Sequence, residues 1–434
     1  VVYISPLKAL AADVEKNLAI PLRGIEEASR QLGAPRPPVR VGMRTGDTDA
    51  AQRRRLVTHP PDILVTTPES LFLMLSSAAR RTLGSVSTVI VDEVHTLAGT
   101  KRGAHLALSL ERLAEMHPHQ RIGLSATVSP PQAAARFLSG ERLCTVVNPP
   151  IRQDWDVQIR SAVPDMTDLG VNLTTRRSNS IHPLIAEQIL DLCETHTSTL
   201  CFVNSRRHAE RLTAKINELH LERQGQRLPD ELPSSFVGVD ATCRGGDIEV
   251  MAMAHHGSVS KEHRAWIENQ LKQGQLKCVV ATSSLELGID MGTIDLVVQV
   301  GAPISVSSAL QRVGRAGHQV GATSRCVWFP ITRDDLLTST AVLQLMTVNA
   351  VEPMHELSNP LDVLTQQLVS MCLDRSWDPG ELYVLVKRAH PFSTLPRSLF
   401  DAVVDMLCGA YPSEEFSALR ARLVRDPSGR LRAR

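Results

Sequence analysis

Four short strings in this sequence carry side chains suited to chemistry on a phosphate. Asp92-Glu93-Val94-His95 follows the apolar run Thr88–Val91. A carboxylate at the C-terminal end of a parallel strand lies where α/β sheets bind ligands. There Asp92 is placed to hold Mg²⁺, directly or through water. Glu93 is placed to orient or deprotonate an attacking water, and His95 to couple the site to a neighbouring domain. Taken alone, the tetrapeptide reads equally well as two acids at a helix start, where the dipole favours them. Ser125-Ala126-Thr127 follows the next apolar run, Arg121–Leu124. The hydroxyls of Ser125 and Thr127 can hydrogen-bond the acids of a nucleotide site and sense its state.

Further along, Gln311-Arg312-Val313-Gly314-Arg315-Ala316-Gly317-His318 closes a helical stretch. Arginines offered across a domain interface to a γ-phosphate act as fingers. Gln311, Arg312 and Arg315 are therefore catalytic candidates, with Gly314 and Gly317 permitting close approach. Just upstream, Ala281-Thr282-Ser283-Ser284-Leu285-Glu286-Leu287-Gly288-Ile289-Asp290-Met291-Gly292 follows the apolar run Cys278–Ala281. Hydroxyls at a helix N-terminus suit a nucleic-acid phosphate, and Gly288 and Asp290 are placed to face a nucleotide cleft. By itself this string is an ordinary Ser/Thr helix cap. Its order and spacing relative to the other three strings give it weight.

Two alternating α/β units must position these side chains. Val1–Ile4, Ile63–Val65, Thr88–Val91 and Arg121–Leu124 read as buried parallel strands, with helical periodicity over Leu7–Leu18, Pro68–Leu75 and Gly103–Met116. This predicts a doubly wound α/β sheet for residues 1–148. Asn148-Pro149-Pro150 breaks the pattern, and 149–180 reads as a linker with room for short strands. Strand patterns resume at Thr199–Val203, Val250–Ala254, Cys278–Ala281, Leu296–Val300 and Cys326–Phe329, with helices at His182–Cys193, Arg206–His220, Lys261–Leu271 and Ser307–Val313. They predict a second α/β domain over 181–345, interrupted by a Gly-, Pro- and charge-rich surface insertion at Leu221–Gly246. In the last region, 346–434, Asp362–Leu373 and Arg397–Cys408 read as amphipathic helices around a strand at Glu381–Val386. That arrangement fits a partial winged-helix module.

The 434 residues are enough for about three domains, and a hydrophobic content of 43% argues for packed cores against disorder. A net charge of +1 carries no bulk basic signal, so a nucleic-acid groove must come from local clustering. Only eight of the 47 basic residues are lysine. Arginine suits bidentate phosphate contacts, although a GC-rich coding sequence yields the same bias. Aromatic residues at 3% rule against a base-stacking platform as the main mode of binding. The eight cysteines include no C-x-x-C pair, so neither zinc nor redox chemistry is indicated; they read as buried reduced thiols of a cytoplasmic protein. No apolar stretch approaches 18 residues, so no membrane span is expected, and no signal peptide opens the chain. Trp266 and Trp328 fall in apolar patterns and are expected in the core. Trp377, before Asp378-Pro379-Gly380, reads first as a structural residue, with nucleic-acid contact the lesser alternative, and His105, His117 and His119 are expected on or after an exposed helix.

In their order along the chain, the strings at Asp92, Ser125, Thr282 and Gln311 resemble motifs II, III, V and VI of superfamily 2 helicases. Ser5-Pro6-Leu7-Lys8-Ala9-Leu10 resembles motif Ia, and Thr66-Thr67-Pro68-Glu69-Ser70-Leu71 resembles motif Ib. Phe202-Val203-Asn204-Ser205-Arg206-Arg207 resembles motif IV, and His255-His256-Gly257-Ser258-Val259-Ser260 the segment called IVa. The resemblance covers about residues 1–330, and eight ordered matches make it specific. Asp-Glu-Val-His, His-His-Gly-Ser-Val-Ser and Gly-Arg-Ala-Gly-His together resemble the large helicase-related (Lhr) family, as does Asn359-Pro360-Leu361-Asp362-Val363-Leu364 leading into the third region.

The resemblance implies two RecA-like domains followed by a winged helix, with ATP and Mg²⁺ as cofactors and Asp92 as the metal ligand. It implies a bacterial or archaeal enzyme that moves 3′ to 5′ on single-stranded DNA and unwinds DNA or RNA–DNA duplexes in DNA repair, at the nucleoid. Pro6, Lys8, Thr67 and Pro68, with Asn204, Ser205, Arg206, Thr282 and Ser283, would grip the strand by its phosphates. Most are neutral donors near helix N-termini, so a chain of net charge +1 can still bind nucleic acid. Closure of the two domains around ATP would bring Arg315 to the γ-phosphate. The sequence departs from the family pattern in two places. No G-x-x-x-x-G-K-[ST] occurs in the chain. The family carries that phosphate loop before motif Ia, so the chain is expected to be a fragment that cannot run the cycle alone. His318 stands where many relatives carry a final Arg, which shifts the finger role toward Arg315. An RNA helicase remains an alternative, opposed by Gln311 and His95. So does a non-catalytic nucleic-acid clamp, opposed by the retention of Asp92 and Glu93.

Overall fold

The computed structural model describes residues 1–34, 38–126, 128–149, 154–166, 180–225, 250–287, 292, 294–317, 323–411 and 420–434. They form two compact units: Val1–Asn148 together with Pro353–Arg434, and Pro149–Glu352. The first begins β1 (Val2–Ile4), α1 (Lys8–Gln31), β2 (Val41–Arg44), α2 (Ala50–Thr58), β3 (Ile63–Thr66) and α3 (Pro68–Leu75). It continues through β4 (Thr88–Val91), α4 (Val94–Leu97), α5 (Lys101–Met116), β5 (Gln120–Gly123) and α6 (Pro131–Ser139). Its five strands pair in the order β2-β3-β1-β4-β5, all parallel. This puts the ends of β1 and β4 side by side at the centre of the sheet. Two elements here carry little apolar pattern. β2 is an edge strand that is only partly buried, and α2, capped by Asp49, buries no residue. The first helix continues well past Leu18 to Gln31, although Leu10 and Ala11 are its buried residues. Arg30 pairs with Glu26 and Glu27 near its end, the helical spacing that supports an exposed helix.

The second unit comprises β6 (Trp155–Ile159), α7 (His182–Thr195), β7 (Thr199–Val203), α8 (Arg206–Arg223), β8 (Ala252–His255), α9 (Lys261–Lys272), β9 (Cys278–Ala281), β10 (Leu296–Val300), α10 (Val306–Val313), β11 (Ser324–Phe329) and α11 (Arg333–Thr347). Its six parallel strands run β6-β11-β10-β7-β9-β8. Strands β7 to β10 are buried along their whole length, so they read in sequence as continuous apolar runs. Two hydrophobic clusters, one around Ile185 and Val298 and one around Phe202 and Trp328, contribute its core. The stretch expected as a linker supplies β6, which pairs with β11. Most of the expected insertion, from residue 226, lies outside the described residues.

The last region adds α12 (Leu361–Asp374), α13 (Pro379–Lys387), α14 (Arg397–Leu407) and an antiparallel hairpin of β12 (Leu423–Arg425) with β13 (Leu431–Ala433). It shares one hydrophobic core with the first sheet, reaching from Val2 to Leu431. The expected strand at Glu381–Val386 is helix α13. Asp378 accepts the Gly380 and Glu381 N–H groups, Pro379 opens the helix, and Leu382, Leu385 and Val386 are buried at helical spacing. Because α12 and α13 pack on α5, α5 is an interior helix, and the expectation of an exposed one is wrong. His105 packs edge-on against Phe72. The Gln367 amide oxygen takes a 2.9 Å bond from Arg112, while its NH₂ donates to the His105 carbonyl and Ser109 Oγ. Trp377 is core, 5% exposed, with its indole N–H on the Met371 carbonyl, so it offers no face to nucleic acid. Trp266 is the reverse case: expected in the core, it is 41% exposed and stacks on His263. No described helix is long and apolar enough to cross a membrane.

Candidate functional site

Asp92 follows β4 directly, and its backbone N–H donates to the Ile4 carbonyl on β1. Both carboxylate oxygens are held from within the unit. Tyr3 Oη donates to Oδ2 at 2.7 Å, and the Glu93 N–H to Oδ1 at 2.9 Å. Glu93 adopts φ 47° and ψ 47°, a left-handed conformation unusual for a non-glycine residue. Such strain costs about 1–3 kcal/mol and persists where surrounding contacts enforce it. Here the enforcing contacts are the Asp92 bonds on one side and Val94 N–H to the Leu124 carbonyl on the other. His95 Nδ1 lies 3.1 Å from Ser125 Oγ and 3.5 Å from Glu93 Oε2, which joins the acidic string to the hydroxyl string. Burial lowers the His95 pKa below the usual histidine range, with Asp92 opposing the shift. The Tyr3 phenol is pushed up by burial and by its bond to Asp92, so it remains a proton donor. Tyr3 was not among the residues expected from sequence; its signal was a tyrosine on the strand leading into motif Ia. Thr127 lies outside the described residues.

In the second unit the Gln311 string begins within α10, and Arg312 is 2% exposed. Its Nε donates to Glu286 Oε1 at 2.9 Å, its Nη1 to Gln299 Oε1 at 2.8 Å and Asn204 Oδ1 at 3.3 Å, and its guanidinium lies over Phe202. Arg312 thus ties together the loops after β7 and β9 and the strand β10. Ser308 Oγ also donates to Glu286 Oε1. Arg315 Nη2 donates to the Glu286 carbonyl at 2.9 Å. Glu286 and Gln299 therefore anchor the string without having been singled out in the sequence. The available signal was an acid between two leucines, since a buried carboxylate needs a cation. Gln311 is partly buried on α10; Gly288, Asp290 and His318 lie outside the described residues.

The expected strand-binding residues gather at the C-terminal ends of neighbouring strands in each sheet. In the first unit, Pro6, Lys8, Thr67 and Pro68 follow β1 and β3, joined by Ser5 N–H to the Thr66 carbonyl. Pro6, Thr67 and Pro68 are buried and Lys8 is exposed, paired with Asp47 at 2.5 Å. In the second, Asn204, Ser205 and Arg206 follow β7 while Thr282 and Ser283 follow β9. Ser205 caps α8 by accepting the His208 N–H, and Arg206 donates to Ser258 Oγ in the loop after β8. His255, at the end of β8, sets Ser284 in the Thr282 turn: its ring contacts Ser284 Oγ at 2.9 Å and Glu268 Oε1 at 3.0 Å.

Comparison with known proteins agrees with this arrangement. Residues 1–135 match the DEAD/DEAH box helicase model, 238–319 the helicase conserved C-terminal domain, and 344–434 the winged helix domain of the large helicase-related protein. The chain is 54% identical over its whole length to "Lhr helicase/ probable uracil glycosylase" of Mycolicibacterium smegmatis, and 51% identical over 98% of its length to "Lhr helicase/uracil glycosylase" of Escherichia coli. The chain belongs to the Lhr family of superfamily 2 helicases. The solved structure of the Mycobacterium smegmatis helicase Lhr bound to ssDNA and AMP-PNP superposes with a TM-score of 0.87 at 52% identity, over all of this chain and 52% of that one. The two sheets are RecA-like, and the helices and hairpin after Pro353 are the Lhr winged helix. The chain spans 29% and 28% of the two curated Lhr relatives.

Proposed function

We propose that this Lhr segment is the motor of an ATP-dependent helicase that moves 3′ to 5′ on single-stranded DNA and opens DNA or RNA–DNA duplexes, in the service of DNA repair. The observation that carries this reading is the Asp92–Glu93 turn: a carboxylate fixed by Tyr3 and by its own loop, at the centre of a parallel sheet, beside a strained acid. A nucleic-acid clamp has no use for that strain. The donor set suits Mg²⁺, which binds through one or two carboxylates while its other positions go to water and phosphate oxygens. Asp92 would hold the ion. Bound ATP with Mg²⁺ would supply the phosphoryl group whose transfer to water drives the cycle. Glu93 would orient that water, and His95 with Ser125 would sense the state of the acids. Arg312 is committed to Glu286, Gln299 and Asn204, and Arg315, bonded here to the Glu286 carbonyl, would act as the finger.

The test uses the full-length protein. ATP hydrolysis should be stimulated by single-stranded DNA more than by RNA, and equal stimulation would remove the DNA preference. Arg315→Ala should abolish hydrolysis while strand binding persists; unchanged turnover would refute the finger role.

A further inference from the structure

The second unit contains a cavity of about 400 Å³ lined in part by His182, Ser205, Arg207, His208, Arg211 and Lys215. Arg207, Arg211 and Lys215 lie four residues apart along α8 and so form one stripe on its surface. Lys215 is answered by Glu218 at 2.8 Å, but among the described residues neither Arg207 nor Arg211 has an ion-pair partner, and no described Asp or Glu lines the cavity. His182 and His208 meet edge to face, with ring centroids 4.7 Å apart. His208 Nε2 is buried with no hydrogen-bond partner among the described residues. Both imidazoles are held below the ordinary histidine range, first by burial and then by the Arg211 charge, joined at His208 by that of His182. Among the described residues the cavity thus gathers two arginines without an answering carboxylate, with the Ser205 hydroxyl at its edge. Buried polar atoms left without partners call for a ligand or water, and planar guanidiniums match a phosphoryl group.

We propose that this cavity is a second phosphate site for nucleic acid, taking a backbone phosphodiester of a strand segment beyond the Asn204–Ser205–Arg206 contact. The proposal rests on the motor reading above and deepens it. Ser205 both lines the cavity and belongs to the expected track, so the two contacts are continuous. Arg207 and Arg211 would neutralise the phosphate. Recognition would be blind to base sequence, because among the described residues nothing aromatic lines the cavity beyond the two imidazoles.

The experiment measures fluorescence anisotropy of a long single-stranded oligonucleotide on the full-length protein across a salt series. Each phosphate contact contributes about 0.7 to the slope of log affinity against log salt for single strands. Arg211→Gln should lower that slope by about this amount and weaken binding several-fold, whereas Arg211→Lys should keep it. Arg211 is exposed, so the variant should melt like the wild type. An unchanged slope in Arg211→Gln, with normal wild-type binding, overturns the cavity assignment and leaves the motor reading standing. A wild-type protein that binds no strand overturns both. Stabilisation of the wild type by inorganic phosphate, lost in Arg211→Gln while the strand slope is unchanged, identifies a free-anion site and overturns the strand assignment.

Discussion

Arg312 can be separated from Arg315 by what its removal does to the fold. The guanidinium is 2% exposed and serves Glu286, Gln299 and Asn204 together. Arg312→Ala leaves the Glu286 carboxylate, 9% exposed, without its cation, and Gln299 Oε1, in a residue 1% exposed, without that donor. Breaking one side of a buried ion pair costs about 3–5 kcal/mol. For a unit the size of Pro149–Glu352, each kcal/mol moves the melting temperature by about 2–4 °C. The expected fall is therefore roughly 6–20 °C, read by differential scanning calorimetry as the transition of the second unit. Most of this penalty belongs to the stranded charge. Arg312→Met combined with Glu286→Gln should therefore recover at least half of the fall, since neutral partners of similar shape are tolerated. A fall below about 2 °C, or a double variant no better than Arg312→Ala, would show that Arg312 does not pin these loops. The finger role would then return to it.

Tyr3→Phe removes a bond to a charged group worth about 1.5–3 kcal/mol; strand-stimulated ATP hydrolysis by the full-length protein should drop roughly 10-fold, and unaltered turnover would exclude Tyr3 from the site. Gln367→Leu strips Arg112, His105 and Ser109 of their shared partner between α12 and α5. It should lower the denaturation midpoint of the first unit by an amount equivalent to about 1–3 kcal/mol; no change would mean that apolar contacts alone hold the winged helix. His208, facing His182, Arg207 and Arg211, is depressed from 6.5 to about 4. Protons therefore bind the unfolded chain first, and the stability contribution of His208 is complete above pH 6.5 and lost as pH falls toward 4. Thermal unfolding of His208→Phe should be less sensitive over that window than the wild type, and parallel curves would refute the assignment.

Strands with both faces buried were legible in the sequence because no polar alternation is needed there: β7, β9 and β10 begin and end where their apolar runs do. Elements stabilised by other means were not. Helix α2 is an exposed arginine-rich helix held by its Asp49 cap, and β6 is an edge strand in a stretch that looks like a linker. The segment Glu381–Val386 has strand-like composition, yet the Asp378 cap and the Pro379 start outweigh propensity once Leu382, Leu385 and Val386 find a core. Trp266 is exposed where its apolar pattern points to the core, because a local apolar pattern does not reveal whether another element covers it.

By itself the sequence determined the family and the order of its motifs, because each reactive group must follow the end of a strand at a fixed chain distance. Tertiary structure alone decided what holds those groups. Tyr3 meets Asp92 across 89 positions of sequence, and Asn204 meets Arg312 across 108. Such pairings leave no local pattern, since they depend on which strands become neighbours. The Asp92 string, read first as two acids after a strand, is therefore also a strained turn whose geometry is set by β1 and by the chain around Leu124.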